Sequence, residues 1–496
     1  MSAHASGGFL QYHEPDITSI LTLISFLFFL TLSEWLSDRV FRAGLIGQII
    51  VGLIYGTPIG NILAVEWQET FMALGYIGLI LIIFEGGLTI RLDLLKQNFI
   101  LSTVAALMGV LTPIALSFAL LYAGFGHGAL EAFIVGVALC STSLGTTFVV
   151  INSASKTVDF SQTRIGTVLI SAAILDDVCG LVLVSVIHQL RGIADSGAKL
   201  GWIIGRPILA SGLMAMLTPI FAVFVFRPLY RLPFVTMIVA KADHVANIVL
   251  MVLVLCAFLA IAAYAGASVL FGAFLAGTFL SSLPAKSQGQ ERDESSGTAG
   301  FLQTFARYLG DAQRFILQPF FFASIGFAIP FLELWTGEVI WKGVVFTLLM
   351  VLSKVIVGLA VPAWDLITVR AGTKTGAEKA STRDHSGVLA SSWRPATLLG
   401  AAMVARGEIG LLIIQIGLNE TPYLSEKAFV IAVWAIVLNT IIGPVSVGFL
   451  LKRIGTTIAE DPRWGTQNIG CKGSGTDAAL EDNLENEHSS GEDHVA

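Results

Sequence analysis

Charge is scarce in this chain. Asp, Glu, Lys and Arg make up 13% of its 496 residues, about half the share found in a soluble domain, while hydrophobic residues reach 55%. A chain so long and so apolar has too little polar surface to show to water, which excludes an ordinary soluble domain. Cysteine is also rare. The four thiols, Cys140, Cys179, Cys256 and Cys471, have the spacing of neither a disulfide framework nor a metal site, and three of them sit in apolar segments as small core residues. Lys and Arg are absent from residues 1–16, so the positive region that a cleaved signal peptide needs is missing. No basic patch with interleaved aromatics occurs, which argues against nucleic-acid binding. The sequence also lacks a nucleotide loop, a metal cluster and a nucleophile–base arrangement, so nothing points to an enzyme or to a cofactor.

What the chain does have is apolar segments, many about 20 residues long, the length that spans a bilayer core as a helix. Thirteen are read, near 17–36, 43–56, 71–90, 99–124, 129–152, 165–188, 202–226, 245–265, 267–283, 315–335, 339–363, 395–418 and 428–451. The 50 glycines suit close helix approach in a membrane. The expected fold is therefore an all-α polytopic membrane protein with about 13 transmembrane helices. The basic residues test the count independently, because cytoplasmic loops hold the excess of Lys and Arg. With the N-terminus outside or lumenal and the segments alternating, 22 of the 29 Lys and Arg fall on the inner side and four outside, the remaining three, Arg206, Lys354 and Arg406, lying at or within segments. This places 1–16 as an extracytoplasmic tail, 17–454 as the transmembrane domain and 455–496 as a cytoplasmic tail. That tail carries Asp477, Glu481, Asp482, Glu485, Glu487, Glu492 and Asp493 with few aromatics, a composition expected to stay disordered. Two inner loops, 284–312 and 365–393, are long and polar. The first is either a solvated linker or a short interfacial helix on Phe301, Leu302, Phe305, Tyr308 and Leu309.

Three ionisable residues stand where hydrocarbon is expected. Asp176 and Asp177 lie at the middle of the 165–187 run, and Lys354 at the middle of 343–363. Each costs roughly 2.5–3.5 kcal/mol on insertion scales, so they must pair or face water. Two adjacent carboxylates in a low-dielectric medium cannot both readily carry charge, and a nearby lysine restores the charge of one. Such a group can hold protons or a cation in competition, the minimal chemistry of an antiporter. The alternative is a buried salt bridge that only locks two helices, but two aspartates with one lysine leave a spare carboxylate that locking does not need.

Two segments are poor helices at their centres. The fifth reads Ala138-Leu-Cys-Ser-Thr-Ser-Leu-Gly-Thr-Thr-Phe148, and the twelfth carries Ala405-Arg-Gly-Glu-Ile-Gly410. Interrupted helices of this kind present freed carbonyls and hydroxyls to a cavity in transporters, and otherwise are kinked packing helices. The interrupted helix is fourth of five counting from the second segment and again counting from the ninth. Five-helix units separated by two helices have opposite orientations, so two inverted repeats are expected, near 43–190 and 267–454.

At this point the residues resemble a known family. Ser171-Ala-Ala-Ile-Leu-Asp-Asp-Val-Cys-Gly180 is similar to the double-aspartate signature of the monovalent cation–proton antiporter superfamily, the sodium/hydrogen exchanger domain. Phe84-Glu-Gly-Gly-Leu88, Ser141-Thr-Ser143, Phe271-Gly-Ala-Phe-Leu-Ala-Gly277, Pro319-Phe-Phe-Phe322 with Ile325-Gly326, Ser353-Lys354 and Arg406-Gly-Glu-Ile-Gly410 follow in the family's order. The resemblance covers about 17–454. It implies a thirteen-helix homodimer, with a mobile core of segments 4–6 and 11–13 and a scaffold of segments 1–3 and 8–10. It implies that Asp177 carries the transported monovalent cation and the proton, and that Asp176 is its partner, pairing with Lys354. Thr142 and Ser143 would stand at the crossing of the interrupted helices, with Arg406 and Glu408 as structural or gating charges there. It further implies electrogenic exchange of Na⁺ or K⁺, with Li⁺ a third candidate. The residues by themselves also leave open a gated cation channel, a proton-coupled exporter of an organic solute, and a non-transporting sensor.

Overall fold

A computed structural model describes residues 14–90, 98–143, 160, 163–196, 200–230, 233–283, 300–374, 385–461 and 463–465, and every regular element among them is helical. Backbone groups in hydrocarbon have no water to bond, and a helix satisfies them within one segment. Among the described residues, eight helices are long and apolar enough to cross a membrane: Ile17–Phe41, Val65–Thr89, Phe99–Gly124, Arg164–Leu190, Ile204–Leu229, His244–Ala265, Gly337–Thr368 and Glu426–Ala459. Gly44–Tyr55, Ala129–Ala138 and Val269–Ser281 are shorter apolar helices. Large apolar side chains stay exposed along the first of these, Leu21, Ile24, Phe28 and Leu36 among them, as lipid-facing positions do.

Packing separates the helices into two bundles. In one, Ile17–Phe41 lies on Gly44–Tyr55, Gln318–Phe327 lies on both Gly44–Tyr55 and Val65–Thr89, and Val269–Ser281 lies on Val65–Thr89 and on Pro233–Ala265. Two crossings there are so close that glycine is required: a Cβ at Gly52 would strike the Ala323 carbonyl, and one at Gly277 the Phe84 carbonyl. Aromatic rings fill the remaining space, with Phe71 and Phe320 tilted at 4.3 Å and Phe26 and Phe71 stacked at 5.3 Å between ring centroids. The other bundle joins Phe99–Ser117, Ala129–Ala138 and Arg164–Ser196 to Gly337–Val357, Ala360–Lys374, His385–Ala402, Glu408–Glu420 and Glu426–Ala459. The aspartates, the lysine and both interrupted segments belong to it.

Several boundaries differ from those read from the sequence. The polar loop expected at 365–393 is helix over 365–374 and 385–393, with 375–384 outside the described residues, since Ala360–Lys374 continues the lysine-bearing helix and His385–Ala402 begins ten residues before the apolar run. Hydropathy marks where a helix enters the hydrocarbon, not where its hydrogen bonds stop. The last helix likewise runs to Ala459, so the boundary at 455 falls inside it. In the loop expected at 284–312, residues 284–299 lie outside the described residues. Phe301–Phe305 is helical and continues through π-helical turns into Gln318–Phe327. Its Phe305 is fully buried against Phe84, at 5.9 Å between centroids. The segment is therefore packed on the bundle on that side, with Leu302 and Tyr308 exposed.

Candidate ion site at the broken-helix crossing

The helix Ala129–Ala138 stops because Cys140-Ser-Thr-Ser143 offers short polar side chains that compete for backbone groups, where a helix interior wants none. Residues 139–143 are non-helical and buried; 144–159, including the remainder of the expected fifth segment, lie outside the described residues. On the opposite side His385–Ala402 stops, 403–407 run as irregular chain, and Glu408–Glu420 begins a new helix. The two breaks meet. Ser143 N–H donates to the Ala405 carbonyl at 2.9 Å, and a Cβ at Gly407 would sit 2.7 Å from the Ser143 side chain.

A helix that ends early leaves carbonyls without partners, and its C-terminal end is the negative end of the dipole. Two buried cations answer this. Lys354 Nζ donates to the Cys140 carbonyl at 2.5 Å, and Arg406 Nη1 to the carbonyls of Cys140 (3.2 Å) and Ser141 (3.0 Å). Both side chains are fully buried. Lys354 also meets Asp176 Oδ2 at 2.7 Å, and Thr142 Oγ1 lies 3.1 Å from Lys354 Nζ while donating to Asp176 Oδ2 at 2.6 Å. Ammonium, one carboxylate oxygen, hydroxyl and carbonyl thus form a network that compensates the buried lysine, with Asp176 Oδ1 left outside it.

Asp177 is different. The helix Arg164–Ser196 turns it about 100° away from Asp176. The residue is half-buried, and its Oδ1 is buried with no hydrogen-bond partner. Asp176 Oδ1 is likewise unpartnered. Asp177 lies within electrostatic reach of Asp176, Glu408 and Lys354. Glu408 occupies the first turn of Glu408–Glu420, where a carboxylate complements the positive end of the helix. The structure thus brings Thr142, Ser143, Asp176, Asp177, Lys354, Arg406 and Glu408 to one crossing. A small hard cation prefers oxygen ligands, and the spare carboxylate oxygens here are those of Asp177 and Asp176.

The model of the family described as sodium/hydrogen exchanger, transmembrane, matches residues 23–453. The chain belongs to the sodium/hydrogen exchanger family. Among curated relatives it is 27% identical to a Na(+)/H(+) antiporter of Enterococcus hirae, over 88% of this chain and 99% of that protein. It is 26% identical to the Na(+)/H(+)-K(+) antiporter GerN of Bacillus cereus, over 82% of this chain and 90% of that protein. Among solved structures, the sodium proton antiporter MjNhaP1 of Methanocaldococcus jannaschii at pH 8 superposes with a TM-score of 0.54 at 17% identity, covering 88% of this chain and 98% of that one. This last likeness is one of fold.

Several parts of the site in this exchanger-family chain went unread in the sequence. Gly109, on Phe99–Ser117, is pressed against the ion pair: a Cβ there would lie 3.3 Å from Lys354 Nζ and 3.4 Å from Asp176 Oδ1. A glycine in an apolar run carries no signal of such a role. Asn439 is fully buried with neither amide atom hydrogen-bonded, and the adjacent Thr440 donates to the Arg406 carbonyl at 2.9 Å. An Asn-Thr pair inside the apolar run 428–451 was a signal available to find them. The Cys140 and Ser141 carbonyls are backbone groups, which no side-chain pattern marks.

Proposed function

We propose that this chain is a secondary active antiporter, exchanging a monovalent cation for protons by alternating access, with Asp177 as the carrier of either ion. The observation that carries this reading is the inequality of the two aspartates. A purely structural salt bridge would be complete with Lys354, Asp176, Thr142 and the Cys140 carbonyl. Asp177 adds a second carboxylate that is not paired with Lys354, and its Oδ1, like Asp176 Oδ1, is used by no protein group. Burying it without partners is costly, and competition between H⁺ and a cation for it offsets that cost. The names of the relatives, one a Na(+)/H(+) antiporter and one a Na(+)/H(+)-K(+) antiporter, support Na⁺ or K⁺ as cargo, with Li⁺ a third candidate. Two aspartates with one lysine favour electrogenic exchange.

Glycine crossings support an inverted repeat within a thirteen-helix homodimer. Gly47 and Gly52 share their spacing with Gly272 and Gly277. Gly47 closes on Ser33 of the preceding helix as Gly272 closes on Phe258, and Gly52 closes on Ala323 as Gly277 closes on Phe84. Gly136 approaches Ile114 as Gly400 approaches Val355. The correspondence reaches back to the first helix, favouring six-helix units with Leu200–Phe221 between them. The basic residues support the Arg164 end of the core as cytoplasmic.

The test is purified protein in sealed vesicles, with internal pH followed after addition of Na⁺, K⁺ or Li⁺, with and without a voltage clamp. Saturable, cation-driven proton movement is expected. Asp177→Asn should abolish it while the protein remains folded and monodisperse. Normal exchange by that variant refutes the assignment.

A further inference from the structure

The helix that carries both aspartates is capped by the far end of the chain. Its first two amides, on Arg164 and Ile165, donate to the carbonyls of Gly465 (3.0 Å) and Trp464 (3.3 Å). Helix N-termini have orphan N–H groups that need acceptors, and here they come from about 300 residues away. The capping segment is a tight turn after the last helix. Asp461 Oδ1 accepts from the amides of Arg463 (2.8 Å) and Trp464 (3.3 Å), and Gly465 N–H donates to the Asp461 carbonyl at 2.8 Å.

Trp464 anchors this turn. It is fully buried, in an apolar cluster with Phe160, Ile165, Val361, Leu399 and Ile458. Its indole N–H donates to Asp365 Oδ2 at 3.1 Å, the oxygen that also accepts from Ser392 Oγ. The Arg164 guanidinium stacks 4.9 Å from the indole centroid, a cation–π contact. Arg164 Nε in turn donates to Asn98 Oδ1 at 3.2 Å, and Asn98 Nδ2 donates to Thr167 Oγ1 at 3.2 Å. One side chain therefore ties the aspartate helix to Ala360–Lys374, to His385–Ala402 and to Glu426–Ala459. It lies about 17 Å along the helix from Asp176.

We infer that the turn formed by Asp461 with Arg463, Trp464 and Gly465 sets the axial position of the aspartate helix, with Trp464 as a positioning residue for the ion site. The network around Lys354 tolerates little displacement, because its bonds lie between 2.5 and 3.1 Å. Release of the turn strips two amides of acceptors, Asp365 of a donor and Arg164 of its ring, all at the base of that helix. The inference places control of the site in the C-terminal end of the chain. Its effect on exchange rests on the antiport reading; the cap itself does not.

The experiment compares full-length protein with chains stopped after Gly465 or after Glu460, and with Trp464→Phe and Trp464→Ala. Amide hydrogen exchange in peptides covering Arg164–Thr167 reads the cap. The pH profile and apparent cation affinity of exchange in vesicles read the positioning role. The stop after Gly465 should match the parent in every readout. The stop after Glu460 and Trp464→Ala should lose about tenfold or more of the protection at Arg164 and Ile165 and shift the pH profile. Trp464→Phe keeps a ring under Arg164 and loses only the bond to Asp365, so it should fall between them, and it decides the matter if the alanine variant does not fold. Parent-like protection and an unmoved profile in the Glu460 stop and Trp464→Phe overturn the inference. Lost protection with an unmoved profile and affinity leaves a cap and overturns the positioning role. An equal loss in the Gly465 stop overturns it too, by assigning the effect to residues beyond the turn. A parent without any exchange sinks the antiport reading instead, and the amide measurement still judges the cap.

Discussion

In the bundle built on Gly44–Tyr55, Val65–Thr89, Val269–Ser281 and Gln318–Phe327, helices meet backbone to backbone at glycines and are filled by phenylalanine. In the bundle that contains the aspartates they meet at glycines as well, Gly358 and Gly443 among them, and in addition through charge. Every fully or nearly buried Asp, Glu, Lys or Arg among the described residues, namely Glu131, Asp176, Lys354, Asp365 and Arg406, belongs to the second bundle. Apolar contact in a bilayer gives helices little preference over lipid, so close van der Waals approach is what holds the first bundle together. That packing has one good arrangement and resists deformation. The second bundle is held by polar networks at three levels. Glu131 accepts from Gly128 N–H (3.1 Å), from Ser425 N–H (3.0 Å) and from Ser425 Oγ at one end. The broken-helix crossing lies in the middle and the Trp464 turn at the other end. Its helices are thus tied to one another from end to end by bonds within the bundle. The contrast teaches that the same membrane solvent permits an apolar packing surface and a buried charged network in one chain, where each of these buried charges meets an opposite charge or a hydrogen-bonding group of the protein.

The comparison can be broken most severely at Lys354. Lys354→Ala leaves Asp176 buried without its cation, and losing one partner of a buried pair costs about 3–5 kcal/mol. A large drop in melting temperature in detergent, with loss of exchange, is expected. A stability equal to that of the parent would show that the pair does not hold the core. Next in size is Gly109→Val, which drives a branched side chain into Lys354 Nζ and Asp176 Oδ1. Because small displacements in a positioned site carry large rate penalties, exchange should fall about tenfold to a hundredfold, with a smaller loss of stability than for Lys354→Ala. An unchanged rate would mean that the geometry of the pair is immaterial to transport. The smallest effect on function is expected in the other bundle. Gly52→Ala forces a methyl against the Ala323 carbonyl and should cost about 1–3 kcal/mol of stability. Exchange per folded protein should change little. A rate loss as large as that of Gly109→Val would erase the distinction between the two bundles.

The membrane character, the helical class and the central charges were legible in the sequence, because each is a local property. Asp176, Asp177 and Lys354 stand out against any apolar run, and Cys140-Ser-Thr-Ser143 announces a poor helix wherever it falls. Other features were hidden because they are relations between distant residues. Nothing near Gly109 says that its missing side chain makes room for an ion pair. Trp464 follows the expected boundary of an acidic tail, where an aromatic residue reads as incidental. The extension of helix through 365–374 was missed because polar residues can continue a helix once it has left the hydrocarbon.

The sequence by itself determined that this chain enters the bilayer many times and carries charge to its centre, since hydropathy and the cost of burying an ion depend on residue type alone. Residue types alone could not say which aspartate would be spent on the lysine; only the resemblance to the exchanger family pointed to Asp176. That was decided by the tertiary structure, through the direction in which one helix turn separates neighbouring side chains and through carbonyls freed where two broken helices cross. Asp176 was turned toward Lys354 and Thr142, and Asp177 was left unpaired with the lysine.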